Sequence, residues 1–174
     1  MQRLKGRHIY LRALEPTDLE FLYQLENDPT IWEVSGTITP YSKHVLRQYL
    51  ENAHRDIYDV KQLRLAICSL KDEVLGLIDL FDFDPQNRRA GVGIVVKETA
   101  NRNKGVGGEA ISLLIDYAFA TLDLRQLFAN VGADNEVSLH LFKKLGFSQV
   151  GVKKDWIFEN GVYKDEILFQ KINS

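Results

Sequence analysis

Hydrophobic residues along the chain keep two different periods, and the switches between them mark the elements. In residues 9–14, Ile9, Leu11 and Ala13 alternate with Tyr10, Arg12 and Leu14, the period of two that predicts a strand. Thr17-Asp18-Leu19-Glu20 reads as a capping box opening a helix that carries Leu19, Leu22 and Leu25 and stops near Asp28-Pro29. Residues 30–41, with Trp32, Gly36 and Pro40, have no clear period and read as a loop. A second helix is predicted over 42–54, with Val45, Leu46, Tyr49 and Leu50 apolar. Strands follow at 63–70, 74–83 and 90–96, the first two joined by the polar turn Lys71-Asp72-Glu73, which makes an antiparallel meander.

The second half returns to the helical period. Ala110, Ile111, Leu114, Ile115, Ala118, Phe119 and Leu122 form one apolar stripe over 108–122. A strand at 126–131 and a helix at 135–145 come next, the helix closed by Gly146. Two strands, 147–155 and 162–171, flank the turn Glu159-Asn160-Gly161. The expected fold is therefore mixed α/β (α+β), one domain over 1–174, with a central and mostly antiparallel twisted sheet of about seven strands flanked by four helices.

Composition narrows the partners. Lys plus Arg number 22 against 24 for Asp plus Glu, so the net charge of −2 offers no reason to expect nucleic acid or an anionic membrane, and a cationic substrate is the easier one to hold. Cys68 is the only cysteine, which excludes an internal disulfide and a cysteine-based metal site; it lies in the apolar run Leu65-Ala66-Ile67-Cys68 and reads as a buried small hydrophobe. His8, His44, His54 and His140 lack close ligand spacing, so no metal is expected. Met1-Gln2-Arg3-Leu4-Lys5 lacks the apolar run of a signal peptide and no stretch approaches bilayer length, so a cytoplasmic protein is expected. The closing hairpin leaves an open edge strand, which suits a homodimer.

One motif carries ligand chemistry. Arg102-Asn103-Lys104-Gly105-Val106-Gly107 feeds the N-terminus of the helix that begins at Gly108. Free backbone N–H groups and the positive end of the helix dipole converge there, and glycine lets phosphate oxygens approach the backbone. A Walker loop is excluded because no Gly-Lys-Ser/Thr triplet follows. Gly105-Val106-Gly107-Gly108-Glu109-Ala110 matches a loose dinucleotide pattern, but residues 97–104 separate it from the preceding strand. The plainer alternative is that these glycines only let the loop turn and pack.

The Arg-x-x-Gly-x-Gly run, placed after a meander and before a long helix, resembles the acyl-coenzyme A loop of the GNAT acetyltransferase superfamily. Asn135-Glu136-Val137-Ser138 continuing to Lys143-Lys144-Leu145-Gly146-Phe147 resembles the family's next helix, and Phe158 with Gly161, Tyr163 and Asp165 its closing hairpin. Together they point to the branch of ribosomal-protein N-terminal acetyltransferases and bacterial spermidine acetyltransferases. The resemblance implies acetyl-CoA as cosubstrate. Its pyrophosphate would meet the N–H groups of Asn103, Lys104, Gly105, Val106, Gly107 and Gly108, with charge from Arg102 and Lys104. Val95 and Val96 would offer backbone groups to the pantetheine arm and acetyl carbonyl, Asn135 would reach the same arm, and Lys143 could approach the phosphates or form part of a solvated helix face.

Acetyl transfer needs a neutral amine, a polarised thioester carbonyl and a proton for the departing thiolate. Many members of the superfamily place a glutamate on the third meander strand near the position of Gly91, which cannot act as a base. Asp79, Asp82 and Asp84 are the nearby acidic candidates, and strict alternation separates Asp79 from the other two unless the strand is bulged. Glu33 is a further acidic candidate, and Trp32 beside it could receive a cationic amine or simply pack in its loop. Related spermidine enzymes carry a tyrosine, the proton donor to the thiolate, where Phe142 stands here. Ser138, four residues earlier, is the alternative donor, or a side chain that bonds a backbone carbonyl. The expected function is acetyl transfer by direct attack to a primary amine, a polyamine or similar small amine. The alternatives are a peptide N-terminus as acceptor, or an acyl-CoA-binding module with weak catalysis.

Overall fold

The computed structural model describes residues 4–35, 38–97 and 105–174, with the backbone only for 33–35. The seven strands of the sheet are β1 (Ile9–Ala13), β2 (Leu63–Ser69), β3 (Val74–Asp84), β4 (Arg89–Val96), β5 (Gln126–Gly132), β6 (Ser148–Glu159) and β7 (Val162–Ile172). They lie in the order β1-β2-β3-β4-β5-β7-β6, and every neighbouring pair is antiparallel except β4–β5. Six α-helices are described rather than four: α1 (Leu19–Glu26), α2 (Pro29–Ser35), α3 (Lys43–Glu51), the single turn α4 (Ile57–Val60), α5 (Val106–Ala120) and α6 (Glu136–Lys144).

Local chemistry explains where the sequence expectation departs from this. The stretch 30–41 expected to be a loop begins with α2, because Pro29 suits the first helical turn and the Asp28 carboxylate accepts from the backbone N–H and hydroxyl of Thr30 at 2.9 and 2.7 Å. Short length hid its period. Thr17 does not cap α1. It sits in a 3-10 turn, Pro16–Asp18, where the Asp18 carboxylate reaches back to the Glu15 N–H at 2.8 Å and is gripped by both Arg12 guanidinium nitrogens, at 2.8 and 2.9 Å. β6 runs on to Glu159 rather than stopping at Asp155, because a bulge between Lys153 and Ile157, with Asp155 at φ 49°, resets the alternation instead of ending it.

Two cores cover the two faces of the sheet. On one face α5 presses Val106, Ala110, Ile111, Leu114, Ile115 and Ala118 onto Ile78, Leu80, Ala90 and Val92, with Phe142 of α6 in the same cluster. On the other, Leu22 and Leu25 of α1 and Leu46 and Leu50 of α3 pack over Leu77, with Val95 against them. The periods of 3.6 and two thus meet as buried stripes. No described helix is long and apolar enough to cross a membrane.

Candidate active site

A parallel pair at the centre of an otherwise antiparallel sheet creates the site. β4 and β5 pair only at Arg89–Gln126, Ala90–Leu127 and Gly91–Phe128, after which they part while β4 stays bonded to β3 and β5 to β7. The wedge between them opens into a cavity of about 930 Å³. Val92, Gly93, Ile94 and Val95 line it from β4, Asn130, Val131 and Gly132 from β5, and Asn135, Ser138 and Phe142 from α6. Paired edges that separate leave backbone groups facing the wedge, where an extended ligand can bond to the strands.

The loop expected to bind phosphate is partly described. Arg102, Asn103 and Lys104 lie outside the described residues. Gly105 caps α5 at φ 76°, the left-handed region that only glycine enters freely, and a Cβ there would meet nothing within 4 Å. The first helical bond runs from Glu109 N–H to the Gly105 carbonyl, so the N–H groups of Val106, Gly107 and Gly108 have no partner within the helix. Packing does not require glycine at 107 or 108, since a Cβ on either would stand at an ordinary 3.4 Å from the Leu141 methyls of α6. Val106 puts its side chain into the core. Val95 lines the cavity, whereas the Val96 side chain is buried. Lys143 is exposed in the last turn of α6 and is not among the residues lining the cavity.

Asn135 caps α6, its side-chain oxygen accepting the Ser138 N–H at 3.2 Å. That bond uses the Ser138 backbone, and among the described residues no acceptor takes its hydroxyl. Ser138 and Phe142, one helical turn apart, line the same wall, as their spacing predicts. Phe142 is 3% exposed and packs its ring against Phe147 and Phe169.

The three aspartates are sorted by the backbone. Asp79 lines the cavity. Asp82, at φ 47°, is the bulge that shifts the β3–β4 register between Phe81 and Asp84; it is exposed and not part of the cavity wall. Asp84, also off that wall, accepts from Asn87 at 2.9 and 2.8 Å and faces Arg89, contacts that hold its carboxyl below the usual range. Burial pushes the Asp79 carboxyl up, against the opposing hydrogen bond from Gln62 at 3.2 Å and the charge of Arg64. Trp32 does not line the cavity; its indole N–H donates to the Glu26 carbonyl at 2.7 Å. The Glu33 side chain lies outside the described residues.

Two glycines on β4 shape this wall, a role absent from the sequence expectation. Gly93 is paired with Asp79, and a Cβ there would stand 2.5 Å from the Asp79 carboxylate. Gly91 is paired with Phe81, whose ring lies across it; a Cβ would approach ring carbons at 2.4 Å. The Phe81 ring fills the space beside Gly91 and stands edge-on to Phe128, the ring centroids 5.6 Å apart. Alternating glycine along β4 was the available signal.

Beyond Asp79 the cavity is ringed by charge. Glu26, Asp134, Glu159 and Glu166 add carboxylates, Arg64 and Lys164 add cations, and Tyr41 and Tyr49 add aromatic faces. Cys68 is fully buried in β2, and burial pushes its thiol up, which disfavours a nucleophilic thiolate. Among the described residues no group of three or more His, Cys, Asp or Glu is arranged to hold a metal ion.

A family model described as an acetyltransferase (GNAT) domain matches residues 8–148. The chain belongs to the GNAT acetyltransferase family. It is 31% identical over 159 residues to the spermidine N(1)-acetyltransferase of Escherichia coli (strain K12), covering 91% of this chain and 83% of that protein. It is 28% identical over 169 residues to the protein named "Putative ribosomal N-acetyltransferase YdaF" of Bacillus subtilis (strain 168), with 94% of this chain and 91% of that protein covered. Among solved structures, the spermidine N-acetyltransferase of Vibrio cholerae in complex with CoA and spermine superposes with a TM-score of 0.83 at 27% identity, over 94% and 95% of the two chains. The same Vibrio enzyme has been solved as a dodecamer. The GNAT assignment makes this chain an acetyl-CoA-dependent acyltransferase.

Proposed function

We propose that the chain, as one acetyltransferase domain over 1–174, transfers acetyl from acetyl-CoA to a primary amine of the polyamine class. The observation that carries this reading is a half-buried, pushed-up Asp79 carboxyl facing a cavity with five carboxylates against two cations. Such a wall attracts an ammonium group and offers a base to deprotonate it. The likeness to polyamine acetyltransferases supports the same acceptor.

The residues suit the donor as well as the acceptor. The Gly105 turn and the free N–H groups of the first turn of α5 fit a pyrophosphate, and the edge of β4 at Gly93 to Val95, which has parted from β5, fits an extended pantetheine arm. Asp79 takes a proton from the ammonium, directly or through one water. The neutral amine attacks the thioester carbonyl carbon and a C–N bond forms; the nitrogen then releases its second proton to solvent, and the C–S bond breaks as the tetrahedral intermediate collapses to the amide. The Ser138 hydroxyl gives its proton to the departing thiolate and regains one from solvent. Trp32, Asp82 and Asp84 have no part in this scheme.

The test is thiol release from acetyl-CoA with polyamines, small monoamines and peptides bearing free N-termini. Turnover with polyamines is expected. Turnover with peptides alone would move the acceptor to the ribosomal type, and silence with every amine while acetyl-CoA still binds would make the chain a binding module. Exposed Trp156, Phe158, Val162 and Tyr163 on the β6–β7 hairpin also support self-association, alongside the dodecamer of the Vibrio relative. A monomer by light scattering would overturn that part.

A further inference from the structure

The hairpin end of the cavity already contains an alkylammonium. Lys164 of β7 sits between two carboxylates, its Nζ 2.8 Å from Asp134 Oδ2 and 2.5 Å from Glu159 Oε2. All three side chains line the cavity wall. Lys164 is 27% exposed, and the two carboxylates hold its ammonium firmly in the charged form. Next to them Glu166 is bound by Lys153 at 2.7 Å. At the opposite end Glu26 is bound by Arg64 at 2.8 Å. Asp79, by contrast, has no ion-pair partner among the described residues.

A carboxylate that already holds an internal cation offers an incoming ammonium little, because the newcomer must displace a tethered partner with the same chemistry. Lys164 is a primary alkylammonium, the same group that a polyamine would present. Three of the five cavity carboxylates are each matched by one internal cation, from Arg64, Lys153 and Lys164. What remains is the charge of Asp79 and one uncompensated charge shared by Asp134 and Glu159. That suffices for the reacting amine and one further ammonium.

We propose that Lys164 is a specificity-determining residue: it occupies an ammonium subsite at the hairpin end of the acceptor cleft, so that short acceptors are favoured over tri- and tetra-amines. This rests on the polyamine-class reading above and sharpens it. Lys164→Met leaves Asp134 and Glu159 as an open site of two negative charges, whereas Lys164→Arg keeps the cation.

Steady-state acetylation of a monoamine, a diamine, a triamine and a tetramine at one ionic strength tests it. With Lys164→Met, KM for the tri- and tetramine is expected to fall about tenfold or more, the scale of a charge-assisted hydrogen bond gained, while the monoamine changes less than about twofold. Lys164→Arg should keep the wild-type ranking. A merely structural role would shift all four amines by a common factor, and that result, or a rise in KM confined to the long amines, overturns the proposal. Should Lys164→Met fold poorly, Glu159→Gln gives the reverse sign: KM should rise for the diamine and longer amines and stay level for the monoamine, and a uniform change would reject the idea. Wild-type silence toward every amine would instead overturn the acceptor assignment itself.

Discussion

At the residue scale the site turns on how one carboxyl is held. Burial pushes Asp79 up, so its charged form works against the folded state at neutral pH. A carboxyl raised in the folded protein contributes stability only while protonated, and that contribution is lost as pH rises through its folded value. Asp79→Asn is therefore expected to raise the melting temperature at pH 7 while lowering kcat by roughly 10²- to 10⁴-fold, the range for a positioned acid or base. The same substitution should remove the acidic limb of the kcat/KM profile, which in the wild type lies above the ordinary aspartate range. A fall in stability with an unchanged pH profile would take Asp79 out of the mechanism. Ser138→Ala should lower kcat and leave acetyl-CoA affinity unchanged, since the α6 cap uses the Ser138 backbone N–H. Equal turnover would exclude that hydroxyl.

At the scale of elements, β3 and β4 form a wall in which one strand supplies the side chains and the other the space. Gly91 under Phe81 and Gly93 under Asp79 are complementary pairs. Restoring the carboxylate common in the family by Gly91→Glu is expected to fail alone, because its Cβ would enter the Phe81 ring, and Phe128 stands against that ring. Overpacking of this kind costs about 1–3 kcal/mol. Gly91→Glu with Phe81→Ala removes the collision and should recover stability by thermal unfolding relative to Gly91→Glu. Equal stability of the single and double variants would show that Phe81 is not the obstacle. The elements themselves were readable in their period: strands 63–70, 74–83 and 90–96 match β2, β3 and β4 within one or two residues. The helix α2 and the single turn α4 were not, because a helix of one or two turns is too short to show a period.

Across the molecule, the pair of half-buried Arg12 and buried Asp18 ties the edge strand β1 to the entry of α1. Burial alone would push Asp18 up, but the guanidinium and the Glu15 N–H hold it below the usual range. A carboxyl lowered in the folded state stabilises above its unfolded value, and the contribution is lost as pH falls through the folded one. Asp18→Ala is expected to cost about 3 kcal/mol in urea unfolding at pH 7, since it strands Arg12, and the difference from wild type should shrink as pH drops through 4. A penalty independent of pH would mean packing, not charge, holds this corner.

Periodicity suffices to derive the seven strands, the long helix α5 and the shared wall of Ser138 and Phe142, because each depends on spacing within one element, while the family resemblance rests on motifs spread over the loop at Arg102–Gly107, the next helix and the closing hairpin. Where Asp82 and Asp84 sit depends on a bulge at Asp82, and no period announces a bulge. That Phe81 covers Gly91, that Lys164 meets Asp134 and Glu159, and that Trp32 bonds Glu26 from a helix too short to show a period are consequences of how neighbouring elements pair and pack. Such contacts are set by the packing of whole elements, and the residues on either side carry no local trace of their partner.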